Sequence, residues 1–299
     1  MASVAETTAV VPPRRKRGPV LHFLGRLFRE KPLGAAGAVV FVLFLFCGIF
    51  ADALAPYGMN QISPLNRLKP PSWGFPFGTD NLGRDMLSRC LYGAQLSVII
   101  GFCAAGIATI ISVFLGIISG YLGGKFDLVL QRFVDAWMSF PDLIILIVVV
   151  SVVGPGMPQI IVTLGLLLGI AGSRIIRGAV VSVRENMYVH AAQSTGASTF
   201  RILWRHILPN VMAPVIVLFT TRVGTVILAE SGLSFLGLGV PPPAPTWGGL
   251  LSGSGRTFML QGPWLALAPG LCLTIVVYAT NMFGDALRDL LDPRMRGSR

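Results

Sequence analysis

An all-α, polytopic membrane protein with six transmembrane helices is the fold class these 299 residues predict. Two observations carry that expectation. Charged residues make up 12% of the chain and hydrophobic ones 53%, about half the ~25% charge content of a soluble domain. Runs almost free of charge, long enough for the ~20 helical residues that a hydrocarbon core requires, recur along the whole length. Backbone groups in lipid need internal partners, and helices supply them.

The first run, Gly34 to Leu54, has Asp52 as its only charge and follows the basic cluster Arg14 to Arg17. It lacks a small-residue cleavage site after a short apolar core, so it reads as an anchor and not as a removed leader. The second span lies within Ala94 to Leu122, 29 residues without a formal charge. Leu143 to Ser173 holds 31 uncharged residues, but "GPGMP" at 154–158 is a cluster of breakers in its middle. Two spans result, about Phe133 to Val153 and Gln159 to Ile176. The fifth is Val211 to Phe235 and the sixth Pro263 to Phe283, with Gly284 read as the helix stop. The chain thus divides into a basic tail (1–33), a six-helix domain (34–283) and a C-terminal tail (284–299).

Lys and Arg counts orient it. Segments 1–33, 123–132, 174–210 and 284–299 carry 18, whereas 55–93, 154–158 and 236–262 carry 5. The richer set is expected in the cytoplasm, with both termini. The net charge of +11 therefore reads as orientation signals and anionic lipid contacts. No compact basic face with interleaved aromatics points to nucleic acid.

Several chemistries are excluded. His22, His190 and His206 are too scattered for a His-Glu-x-x-His metal motif. "GASTF" at 196–200 fails as a nucleophile elbow at its last position. Lys125 is followed by Phe126, so no phosphate-cradling loop exists and the chain is not expected to hydrolyse ATP. Cys47, Cys90, Cys103 and Cys272 lie in or beside apolar runs without metal-site spacing and read as packing residues. Gly116, Gly120 and Gly124, then Gly165 and Gly169, fall at four-residue spacing. They would allow close helix approach, or reflect only the abundance of glycine in membrane helices.

The polar stretch "YVHAAQSTGASTFRILWRHILPN" at 188–210 interrupts this apolar chain on the side expected to be cytoplasmic. Two short helices with a hinge at Gly196 fit it best, since glycine opens turns closed to residues with a Cβ. Pro209 suits the first turn of the next helix. Alanines 191 and 192 leave a low profile that a partner can approach. The alternative is an amphipathic loop on lipid headgroups, with Phe200, Ile202 and Trp204 buried.

This stretch resembles the EAA motif of ABC importer permeases, with Ala191, Ala192, Gly196, Leu208 and Pro209 in place and His190 where the family carries an acid. Three further stretches, "FGTDNLGRDMLSRCLYGAQLS" at 77–97, "LSFLGLGVPPPAPTWGGLL" at 233–251 and "FGDALRDLLDP" at 283–293, make it similar to the dipeptide, oligopeptide and nickel group, C-type subunit. The resemblance implies the type I importer fold in a bacterial inner membrane and a coupling role for Tyr188, His190, Ala191, Ala192, Gly196, Ala197, Ser198, Leu208 and Pro209. It implies a homologous permease, one or two ABC ATPase subunits that bind ATP and Mg, and an extracytoplasmic substrate-binding protein as partners, with no cofactor in this chain. The cargo would be di- or oligopeptides or a related small solute. An ion-driven secondary transporter is the alternative, though the matched inverted repeats it expects are not visible.

The remaining stretches also have direct readings. Asp80 with Arg84 and Asp85 with Arg89 fall at i, i+4 in the favourable sense, so a helix leading into the second span is expected. "VPPPAPTW" is expected to form a rigid outer loop, and "FGDALRDLLDP" a short cytoplasmic segment after the helix stop. Charges within spans are costly and functional by default. Asp142, nine residues into the third span, Arg222, and Glu230 near the outer end of the fifth are expected to face the translocation path or a partner subunit, or else to snorkel or be buried in pairs within the bundle.

Overall fold

The computed structural model describes residues 19–291, and every regular element among them is helical. Arg14 to Arg17 and residues 292–299 lie outside the described residues. Five helices are long and apolar enough to cross a membrane: α2 (Pro32–Ile49), α4 (Met86–Leu122), α7 (Met157–Arg184), α10 (Met212–Phe235) and α12 (Trp264–Leu291), with α1 (Pro19–Glu30) and α3 (Ala51–Leu54) flanking the first. Two further pieces, α5 (Gly124–Met138) and α6 (Asp142–Val153), are together apolar enough for a sixth span but are bent by 82°, the geometry of a broken span or a re-entrant loop.

That bend corrects the continuous third span expected from Phe133 to Val153. Pro141 at the N-cap of α6 cannot donate its missing N–H and disfavours the helical conformation in the residue before it. At ~1.5 Å per residue, the 12 residues of α6 are too short to cross ~30 Å of hydrocarbon alone.

Small residues set the tightest seam, between α4 and α7. A Cβ added at Gly116 would lie 2.7 Å from the Ser173 carbonyl, and one at Gly165 2.6 Å from Ile107 Cγ2. Gly120 and Gly169 are equally tight, against Val180 and Ile111. Ser112 Oγ donates across the seam to the Gly169 carbonyl at 2.8 Å. At one end of α4 and α7, Arg177 Nε donates to Asp127 at 2.6 Å and Arg174 pairs with Asp135, so both acids of α5 are fastened to α7.

Three expectations are corrected at element boundaries. Gly284 does not stop the last span; α12 runs on to Leu291. A Cβ at Gly284 would be 2.8 Å from Thr221 Cγ2, so this glycine serves the contact with α10. The helix leading into the second span begins only at Met86, as the start of α4, and does not include the first pair: Asp80 and Arg84 meet at 2.6 Å within a turn closed by the Thr79–Asp85 bridge. Asp85 is not the partner of Arg89 but the N-cap of α4, accepting from Ser88 N at 2.8 Å. Within the described part of the N-terminal segment, α1 packs Leu27 against Ala286 and Leu290 of α12, and Lys31 pairs with Asp289 at 2.5 Å.

At the opposite end, the end that the basic-residue count assigns to the outside, the chain after α10 turns through the proline loop, in which Pro242–Pro243 is cis. It then dips back as α11 (Trp247–Leu250). Trp247, 2% exposed, packs on Phe44 and donates from Nε1 to the Cys90 carbonyl at 3.0 Å. The loop expected to stand outside is thus anchored in the aromatic core formed by α2, α4, α10 and α12.

Candidate functional site

The 188–210 stretch folds as two short helices, as its residues predict, joined at Gly196. The first is α8 (Met187–Ser194) and the second α9 (Thr199–Ile202), continued by a π turn (Leu203–Ile207) and a 3-10 turn (Leu208–Val211) that leads into α10. Gly196 has φ +73°. Its N–H donates to the Gln193 carbonyl at 3.0 Å, and that of Ala197 to the Ala192 carbonyl at 3.1 Å. This pair of bonds is the Schellman arrangement, which satisfies the last carbonyls of a helix when the following residue is left-handed. Ser198 then caps α9 by accepting from Arg201 N.

The apolar residues of this segment separate into two sets. Val189, Ile202, Ile207 and Val211 are buried and pack on Ile117 of α4 and on Ile176 and Val180 of α7. Met187, Tyr188, His190, Ala191, Gly196, Ser198 and Pro209 are exposed, with Ala192, Ala197 and Leu208 between the extremes. His190 faces Gln193, which donates to the Tyr121 hydroxyl at the end of α4 at 3.3 Å. The segment is therefore bound rigidly through one face to α4 and α7, presents the other, and continues covalently into α10.

Of the three apolar residues that the alternative reading lays on lipid headgroups, Ile202 is buried against the protein, while Phe200 and Trp204 are 71% and 59% exposed on the protein surface with ring centroids 6.0 Å apart. Met187, which opens α8 four residues before Ala191, is 87% exposed and extends the same face.

The three charges expected within spans do not gather at one site: Asp142 and Arg222 lie within each other's field, and Glu230 stands apart. Asp142 is exposed and opens α6 at the bend, so it is not nine residues inside a continuous span. Arg222 on α10 is half-buried, and Asp142 is the one charge whose field acts on it appreciably. Glu230, 1% exposed, accepts from Ser234 Oγ at 2.6 Å and from Ser231 Oγ at 3.4 Å. Of the placements expected for it, facing the path or a partner or being buried within the bundle, the last is the one observed.

A bundle of this kind, with an exposed helix–turn–helix wedged onto two spans, defines the membrane component of a transport system. The comparisons agree. The model of the "Binding-protein-dependent transport system inner membrane component" family matches residues 112–297, and that of the "N-terminal TM domain of oligopeptide transport permease C" matches 25–71. The chain is 39% identical over 268 residues to the dipeptide transport system permease protein DppC of Alkalihalophilus pseudofirmus, covering 90% of this chain and 88% of that one. It is 38% identical over 269 residues to the oligopeptide transport system permease protein OppC of Bacillus subtilis, with the same 90% and 88% coverage. Identity to the glutathione transport system permease protein GsiD of Escherichia coli O157:H7 is 37% over 296 residues, 99% of this chain and 97% of that one. In fold it matches a chain of the inward-facing MetNI methionine ABC transporter, with TM-score 0.58 and 17% identity, over 69% of this chain and 98% of that one.

The protein belongs to the binding-protein-dependent transport inner membrane components. It is a multi-pass ABC importer permease of the bacterial inner membrane, similar over its length to the C-type subunits, and ATP hydrolysis lies in partner subunits. ATPase and substrate-binding partners follow from the family. None of these findings supports the ion-driven alternative.

Proposed function

We propose that this chain forms half of the translocation path of an importer for peptides or a related small solute, paired with a homologous permease and driven by one or two ATPases. Tyr188, His190, Ala191, Ala192, Gly196, Ala197 and Ser198, with Leu208 and Pro209 behind them, form the surface that the ATPase pushes. ATP and Mg belong to that partner, and this chain needs no cofactor. Both termini and the 174–210 segment face the cytoplasm in this reading, which the 18-to-5 distribution of Lys and Arg supports. The dipeptide, oligopeptide and glutathione permeases among its relatives support the choice of cargo.

One observation carries the coupling role: the Val189–Ile202–Ile207 seam joins the exposed face to α4 and α7. A push on that face therefore moves spans and not a loose loop. His190 stands where the family carries a carboxylate, so contact there rests on packing and on the hydrogen bonding of an imidazole ring in place of a carboxylate's ion pair. Asp142 and Arg222, at the bend and on α10, are assigned to the path, whereas Glu230 is a buried structural pair.

In the reconstituted importer, Gly196→Trp is expected to leave insertion and basal ATP hydrolysis intact while uptake falls at least about tenfold, a loss of ~1.4 kcal/mol of coupling. The space for it exists, since an added Cβ at Gly196 meets nothing within 4 Å. Normal uptake by this variant would remove the coupling role.

A further inference from the structure

At the outer end, a cavity of about 480 Å³ opens between the 79–89 turn, Pro155, the proline loop and the kinked stretch that follows α11. Two guanidinium groups line it, Arg84 and Arg89, with the Asn81 amide and the hydroxyls of Ser252 and Thr257, and its lining holds no carboxylate. The neighbouring acids are largely committed to their own turn, although Asp85 Oδ1 is buried without a hydrogen-bond partner and Asp80 stays within ion-pair reach of Arg89. Asp80, fully buried, accepts from Leu82 N, Arg84 N and Arg84 Nε at 2.8, 2.9 and 2.6 Å. Asp85 spends Oδ2 on Ser88 N and Oγ at 2.8 and 2.7 Å.

Arg89 is left short of acceptors. It is 5% exposed, and its Nε has no hydrogen-bond partner among the described residues. Asp80 stands 3.9 Å from that nitrogen, and Nη1 reaches the Met59 carbonyl and Asn60 only at 3.4 Å. A buried guanidinium in this state carries a desolvation penalty that an arriving anionic acceptor relieves. Planar guanidinium favours a carboxylate, which can accept two N–H groups in parallel. The other walls are apolar, including Val240, Leu250 and Phe258, and the volume falls within the ~300–1,000 Å³ of small-molecule sites.

We propose that this vestibule holds the free carboxylate of the cargo, the C-terminal carboxylate of a small peptide, on Arg89 and Arg84 before it enters the path. The identity of the carboxylate's owner rests on the transport reading above; the anion preference does not.

The test uses the importer in nanodiscs with its partner permease and ATPases, carrying Thr257→Cys as a reporter. The four native cysteines lie in apolar helices, and the protein without the reporter supplies the background. An anionic methanethiosulfonate should label the reporter about tenfold faster than a cationic one, after correction for their rates with free cysteine. Alanyl-alanine should slow labelling, and its C-terminal amide should not. Arg89→Gln should abolish both preference and protection, and Arg89→Lys should keep the preference. Arg84→Gln, at a more exposed position, carries the test if Arg89→Gln fails to assemble. Absence of anion preference, equal protection by acid and amide, or protection by inorganic phosphate but not by alanyl-alanine or acetate would overturn the proposal. Protection by acetate in an importer that takes up no peptide would uphold the carboxylate site and overturn the peptide reading.

Discussion

Two glycines show how the same missing Cβ acts through different physics. Gly196 stands at φ +73° with open space around it, so a small side chain there costs backbone strain alone, about 1 kcal/mol. Gly116 is helical, but its Cβ position is occupied by Ile176 and the Ser173 carbonyl at 2.7 Å. Overpacking such a seam costs about 1–3 kcal/mol or forces the helices apart. In detergent, Gly116→Leu is therefore expected to lower the melting temperature well beyond Gly196→Ala; the opposite order would contradict the packing of α4 on α7. Glu230 adds a third case, because its carboxylate is held by Ser234 and Ser231 inside the bundle. Glu230→Gln keeps one acceptor oxygen for Ser234 and replaces the other by an NH2 that can donate to the Ser231 hydroxyl, so it should be tolerated. Glu230→Leu strands them and should destabilise by about 1–3 kcal/mol, as read from thermal unfolding.

At the scale of elements, the bent α5–α6 pair depends on its fastening to α7. Asp127 receives Arg177 and the Ser119 hydroxyl, while Asp135 receives Arg174. Removing Asp127 leaves a partly buried guanidinium without its partner, a loss of about 1–3 kcal/mol. Because α5 has few buried side chains of its own, with Val134 the one buried residue, that loss should appear locally. Asp127→Ala is expected to speed amide exchange in α5 several-fold while leaving the α4–α7 seam protected. Uniform exchange across the bundle would show that the clamp is not local. The coupling segment behaves differently, since its buried seam ties it to two spans, and His190→Glu on its exposed face should leave stability unchanged. If that variant also raises uptake per ATP, the histidine at this position carries a cost in coupling.

For the molecule as a whole, Trp247 decides whether the outer segment is a loop or part of the bundle. Its indole fills the space beside Phe44 and bonds the Cys90 carbonyl. Trp247→Ala should cost about 3–5 kcal/mol and release residues 236–262. External protease should then cut this stretch in the variant and spare it in the wild type. Sidedness is open to the same approach: an impermeant thiol reagent should reach Gly237→Cys from outside and Ser198→Cys from inside only, and a reversed pattern would overturn the orientation.

The residues alone determined the all-helical class, the positions of the apolar runs and the polar helix–turn–helix with its glycine hinge. Each depends on local chemistry: hydropathy against a bilayer, breakers at 154–158, and a backbone conformation that glycine favours at 196. Tertiary structure decided the rest. Gly284 looks like a stop until Thr221 is placed against it, and Asp85 looks like a partner for Arg89 until the start of α4 makes it a cap. Phe200 and Ile202 are indistinguishable in hydropathy, yet one is exposed and the other packs on α7. Glu230, equally, reads as a path residue until Ser234 is found beside it. In a membrane protein nearly every residue of a span is apolar, so hydropathy marks where the chain crosses but not which face meets which neighbour, and only packing supplies that.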